Sequence, residues 1–257
     1  MAKVTAPFTI SGTLDGLNFM DTTEGNFVRE ATDKKMTSKQ FRDNPVYDPI
    51  RNHGLEMGYA AKKAVLFRQL VAEFYRQSKD VSFAGRANKI MLEILEEDLL
   101  NPRGKRNFEQ AGQSLFLHEI LIGFEGNKNR PLSRVLLTQY LQKPEARSIE
   151  ITDFNPALHL NWPEEATHTH LAMATAYWNP VNNQFNTCYS PEISLPKDAE
   201  SQTLRLHTEQ PKGDGLLLTF LFVGFAKKER RKYNLLHRRN NTVTLIDCQY
   251  PQEQSPD

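Results

Sequence analysis

Only two cysteines occur in the 257 residues, Cys188 and Cys248, and they stand in no metal-ligand spacing. Such a pattern excludes a disulfide framework and a cysteine zinc site, and predicts two free thiols in a reducing compartment. A single bridge stays open, because both residues fall in predicted strands. Long apolar runs are also missing. The most hydrophobic stretch, Gly215 to Ala226 (GLLLTFLFVGFA), falls short of the ~20 residues that a bilayer span needs. Its β-branched and aromatic residues read instead as a buried central strand. The opening MAKVTAPFTIS has no signal-peptide core. The expected location is therefore the cytoplasm, or a particle assembled there and released from the cell.

Recognisable chemistry is lacking too. There is no Gly-x-Ser-x-Gly elbow and no cysteine in a catalytic context, and Gly104-Lys105-Arg106 has neither the upstream glycine nor the downstream Ser/Thr of a phosphate loop. No catalytic, cofactor or metal residue is assigned, and a protein that is not an enzyme is expected. Composition is ordinary for a globular chain, at 39% hydrophobic, 25% charged and a net charge of +1, with a length suited to one or two domains.

What is present begins with a β-segment at residues 7 to 31. Phe8, Ile10 and Leu14 share one parity, whereas Leu17, Phe19 and Phe27 share the other. The switch at Asp15-Gly16 marks a tight turn, and a looser one is expected from Thr22 to Asn26. Two or three short strands with one apolar face result. Residues 32 to 53 carry Pro45 and Pro49 without a sustained period, which predicts an extended connector able to reach ~65 to 70 Å.

Helical spacing follows from Gly54 to about Gln77 and from Phe83 to Leu99, giving a helical hairpin. Its expected packing face includes Met57, Ala61, Ala64, Ile90, Met91 and Ile94. A short helix or strand then leads into a strand near Ile120 to Glu125. Further strands are expected at Arg134 to Leu137, Ser148 to Thr152, His168 to Trp178, Gln184 to Tyr189, Thr203 to Thr208, Leu216 to Phe225 and Thr242 to Gln249. The fold class expected is α+β. An arm and connector (1–53) precede a helical hairpin (54–112), an antiparallel β-sandwich (113–250) and a disordered tail (251–257).

Several clusters invite a functional reading. His168 and His170, two apart on a strand, share a face and would need His159, Glu164 or Glu165 to complete a metal site; two half-exposed strand residues are the plainer expectation. Glu93, Glu96, Glu97 and Asp98 fall opposite the apolar helix face and read as solvated. Lys227, Lys228, Arg230, Arg231, Lys232, Arg238 and Arg239 oppose only Glu229, a local net of +6. That patch suits a nucleic acid or an acidic protein partner. Trp162, Tyr177 and Trp178 are the aromatics that a carbohydrate- or ligand-binding sandwich would use, and buried core is their alternative.

Four stretches, GTLDGLNF, GNFVRE, DNPVYDPIRNHGLEMGYAAKKAVLFR and RGKRN, together with LNWPEEATH before a long strand, are similar to an uncharacterised family of bacterial hypothetical proteins. That family opens on a GT(I/L)xxLxF…(K/D)G(Y/F)xVRE hairpin, followed by DPxFxRTREN and GRAGKxxKxLR. The chain departs from the pattern where IRNH replaces TREN and in its basic final hairpin. The resemblance implies the domain layout above and an association with phage-like or mobile-element structural systems.

The leading expectation is a non-enzymatic structural protein that forms a homo-oligomer. Phe8, Ile10, Leu14, Leu17, Phe19 and Phe27 would carry an arm that adds strands to a neighbouring copy, giving a ring, tube or filament. Folding of the arm back onto its own chain is the competing arrangement.

Overall fold

The computed structural model describes residues 2–4, 9–22, 25–31, 36–230 and 232–250, the first three by backbone only. The chain is α+β and separates into two units, Met1–Ile50 and Arg51–Asp257.

In the first unit, β1 (Ala2–Val4), β2 (Gly12–Leu14), β3 (Leu17–Thr22) and β4 (Gly25–Glu30) form one antiparallel sheet in the order β1-β4-β3-β2. Asp15 and Gly16, at φ 47° and 75°, make the left-handed pair of a type I′ hairpin turn. Leu14 opposes Leu17, and Phe19 opposes Val28, so these four share a face. Phe27 opposes Met20 and lies on the other face, not beside Leu17 and Phe19 as expected. Opposed residues across β3 and β4 have opposite parity, so parity cannot be carried through the turn. Phe8 lies outside the described residues, as do Thr23 and Glu24 of the second expected turn.

From Met36 on, the connector is not extended. α1 (Ser38–Asp43) opens on a capping box in which Thr37 Oγ1 accepts the Gln40 N–H and Gln40 Oε1 accepts the Thr37 N–H. Asn44 Oδ1 then takes the Val46 N–H at 3.0 Å, starting a 3-10 turn at Pro45–Tyr47, and α2 (Asp48–Phe67) follows directly. Pro45 and Pro49 sit in first turns, where a missing N–H breaks no helical bond. A rise of ~1.5 Å per residue in place of ~3.3 Å shortens the expected reach of this segment by half.

In the second unit, α3 (Ala72–Ser78) is separated from α2 by a tight turn. There the Gln69 and Leu70 N–H groups bond to the carbonyls three residues back, and buried Leu70 and Val71 anchor the bend. The expected single helix to Gln77 is thereby divided. α4 (Phe83–Glu96) starts at the expected residue and ends earlier than Leu99. Asp98 reverses the chain there, accepting from the N–H groups of Leu100, Asn101 and Asn107 and from the Asn101 amide. Asp98 is 1% exposed, so it is not on a solvated face.

α5 (Phe108–Ala111), α6 (Leu117–Leu121) and α7 (Leu132–Val135) complete this layer. The strands expected at Ile120 to Glu125 and Arg134 to Leu137 are replaced by α6 and α7. Leu117 and Leu121, and Leu132 and Val135, bury at helical spacing, leaving only single bridges at Glu125 and Leu136.

The remaining elements are β5 (Leu141–Lys143), β6 (Ser148–Phe154), α8 (Pro156–His159), β7 (His168–Asn179), β8 (Gln184–Tyr189), β9 (Ile193–Pro196), β10 (Gln202–His207), β11 (Leu216–Glu229), β12 (Lys232–Leu235) and β13 (Thr242–Gln249). β7 and β11 pair along their length at the centre of a six-stranded antiparallel sheet, joined by β8, β9, β12 and β13. β10, β6 and β5 form a smaller antiparallel sheet.

Ala172, Ala174, Ala176, Trp178, Leu218, Phe220 and Phe222 face the helices in one core. Leu171, Met173, Leu221, Val223 and Phe225 face Ile149, Ile151, Leu204 and Leu206 of the smaller sheet in another. The two sheets do pack face to face, but helices cover the outer side of the larger one. A bulge in β13 skips Ile246 in the pairing with β11, so Cys248 joins Val243 and Leu245 on the helical side.

Candidate functional site

The first candidate is the N-terminal sheet. Among the described residues up to Ile50 none is buried, and Leu14 (65% exposed), Leu17 (39%) and Ile10 (37%) are open. Phe19, Met20, Phe27 and Val28 are half-buried. One face thus carries Leu14, Leu17, Phe19 and Val28, and the other Met20 and Phe27. β1 and β2 are its two edges.

The second is α2, whose buried stripe is Glu56, Ala60, Lys63, Ala64 and Phe67. Of the expected packing residues, Ala64, Met91 and Ile94 are in the core, Ala61 and Ile90 are half-buried, and Met57 turns outward. Two charged side chains take part of the stripe. Glu56, 2% exposed, accepts the Gly104 N–H at 2.7 Å and sits 3.8 Å from Arg106 Nε and 4.0 Å from Arg103 Nε. Lys63 donates to the Pro180 carbonyl and to Asn183 Oδ1, and lies over the rings of Tyr59 and Phe108. Burial pulls the Lys63 pKa down. Both groups pin loops, Lys63 through its hydrogen bonds and Glu56 through one at Oε1 with the arginines beside it, which makes them structural anchors. Their signal in the sequence is two charges seven apart, with RGKR the matching partner for Glu56.

The third is the basic region. β11 and β12 form a hairpin that pairs Lys228 with Tyr233 and Glu229 with Lys232, and Arg230 turns it at φ 56°. Lys227, Lys228 and Lys232 lie on its arms, and Arg231 is outside the described residues. Arg238 and Arg239 are in a 3-10 turn at Arg238–Asn240.

Two buried asparagines fasten that turn. Asn241 accepts the Phe225 N–H at 2.9 Å and donates to the Gln77 carbonyl at 2.8 Å. Asn127 donates to the carbonyls of Arg239 and Asn241. This places Arg238 beside α3, where it lines a cavity of about 480 Å³ with Arg68, Arg76 and Lys79. Asp80 is in the same wall and is already engaged by Arg86 at 2.7 Å, Ser82 and the Lys128 N–H. Arg68, Arg76 and Lys79 have no distinguishing signal in the sequence, because only the fold brings them to Arg238.

The remaining candidates do not converge. His170 Nδ1 bonds Glu192, His168 packs on Tyr233 at 4.7 Å, and His159 Nδ1 accepts the Asn155 N–H. Burial, then the charge of Lys228, holds the His168 pKa down. Glu164 and Glu165 are exposed, and no group of three or more His, Cys, Asp or Glu among the described residues is placed to hold a metal. Trp178 is buried against Phe67, whereas Trp162 packs on Phe225. Tyr177 pairs with Leu217, eight residues along β11 from Phe225 and so about 27 Å from it. These aromatics form no shared platform.

Glu125 borders a groove of about 850 Å³ with Leu132, Leu136, Tyr140 and Ile246. Burial pushes its pKa up, although Thr244, the Leu132 N–H and Thr242 all donate to it. Cys188 and Cys248 are both free thiols.

No family model, curated protein or solved structure matches this chain. No helix of the described residues is long and apolar enough to cross a membrane.

Proposed function

We propose that this chain is a non-enzymatic structural protein that self-assembles through its N-terminal sheet, as a component of a ring, tube, filament or phage-like particle. The observation that carries this reading is the sheet itself: apolar side chains on both faces, none buried among its described residues, and two edge strands. A small sheet without a core gains little stability alone, and unpaired edges are templates for further strands. A second copy supplies both a matching edge and a matching apolar face. Head-to-tail pairing of that kind closes into rings or propagates as filaments. The reach of an extended connector lends no support, since that segment is largely helical.

Light scattering on the full chain and on Leu17→Asp/Phe19→Asp tests the reading, with a 1–45 deletion as the extreme case. The variants are expected to fall to monomer mass. If they keep the mass of the full chain, assembly through the arm is wrong. Negative-stain images of the same samples separate rings from filaments.

A further inference from the structure

We propose that the cavity between α3 and the Arg238–Asn240 turn binds the phosphate backbone of a double-stranded nucleic acid. This goes beyond assembly and rests on the second unit alone. Arg68, Arg76, Lys79 and Arg238 line one concave surface, and none of them has an ion-pair partner among the described residues. The acid in that wall, Asp80, is neutralised by Arg86. Glu73 of α3 does not line the cavity. Four like charges converging without a counter-charge repel one another, and an anion in the cavity turns that repulsion into attraction.

Arg238 is held there by a rigid device. Asn127 and Asn241, each 1% exposed, fasten the turn through its carbonyls and to α3. A cation presented on a fastened turn loses little freedom on binding. Tyr75 also lines the cavity, but it is 2% exposed and its hydroxyl is buried, so the cations and not this donor are what the cavity presents to an anion.

Along the chain the same segment carries further cations, Arg239 and, on the hairpin, Lys232, Arg230, Lys228 and Lys227, the last of these ion-paired with Glu229 at 3.9 Å. That is more charge than one phosphate needs, which points to a polymer. The cavity offers no stacking platform, because Phe83 and Tyr75 pack on each other, and Tyr233 on the hairpin, 49% exposed, is a single aromatic in edge contact with His168. A duplex read through its backbone fits this surface better than a single strand with splayed bases.

The test is fluorescence anisotropy of a labelled 20-base-pair duplex with the full chain between 50 and 300 mM salt. Arg76→Ser/Lys79→Ser and Arg238→Ser are compared with Lys143→Ser on the smaller sheet. Arg238→Ser changes an exposed side chain and keeps the carbonyls that hold the turn, and a thermal melt verifies folding. Each cavity variant is expected to weaken binding by about tenfold or more, and the salt slope should flatten by about 0.9 for each phosphate no longer neutralised. Lys143→Ser should leave both unchanged. Unaltered duplex affinity in the cavity variants overturns the proposal. So does binding of poly-glutamate or inorganic phosphate without any binding of the duplex.

Discussion

Gly104 donates its backbone N–H to the buried carboxylate of Glu56 at 2.7 Å, closing the 102–107 turn over the flank of α2. Arg106, 20% exposed, adds a second partner, while Arg103 is half exposed and adds less. Removing one member of a buried pair strands the other. Glu56→Ala should lower the unfolding free energy by about 3 kcal/mol, and Glu56→Gln, which keeps an acceptor for Gly104, by about half of that. Urea titrations of the two variants measure this, and equal losses would show that charge alone matters.

Asp98 gives an acid-side prediction. Burial alone would raise its pKa, but the Asn101 amide and the N–H groups of Asn107, Asn101 and Leu100 outweigh it and hold the carboxyl below its ordinary value. The folded pKa is lower than the unfolded one, so the stabilisation is complete above about pH 4 and disappears as pH falls through the folded value. Asp98→Asn should lower stability at pH 7 by about 1–3 kcal/mol and lose less than the parent on acidification. Parallel curves down to pH 2 would contradict this.

Glu125 has the opposite sign. Its folded pKa lies above the ordinary glutamate value, chiefly through burial. The native state therefore keeps a proton that the unfolded chain has lost, and stability declines as pH rises through that window. Glu125→Gln should remove the decline, with melting temperatures between pH 4 and pH 7 as the readout. An unchanged slope would place the titration elsewhere.

The two thiols should differ in reactivity. Cys248 is 4% exposed, and burial, with Asp247 beside it, pushes its pKa up to about 12. Cys188 is half-buried. Ellman's reagent on the native chain should show one fast thiol, abolished in Cys188→Ser. Retention of the fast phase in that variant would mean that β13 opens readily.

Long strands with a strong local pattern are legible in the residues themselves. β8 and β13 have the expected limits, and β7 and β11 extend theirs by one and four residues. Asp15-Gly16 signals its turn because φ > 0 favours those residue types. Elements depart from expectation where a second cause competes with the pattern. Pro45 and Pro49 resemble helix breakers until Thr37 and Asn44 are seen to cap the turns they begin. β5, β9 and β12, of three or four residues, carry too few side chains for a period. Of the cationic cavity only Arg238 stands out in the sequence, since residues 68 to 79 meet it through tertiary packing.

The central sheet has one further implication. Covered on both sides, β7 cannot be held in place by polar and apolar alternation, because Leu171, Ala172, Met173 and Ala174 are all buried. Volume distinguishes the two sides instead. Ala172, Ala174 and Ala176 stand beside Phe222, Phe220 and Leu218, whereas Leu171 and Met173 stand beside Val223 and Leu221. Sliding the strand by one position would leave its hydrophobicity intact and force leucine and methionine into space left for alanine. The alignment of this molecule's longest strand pair is thus enforced by bulk, and a methyl-to-isobutyl change at Ala174 would act on it as an addressing error rather than a chemical one.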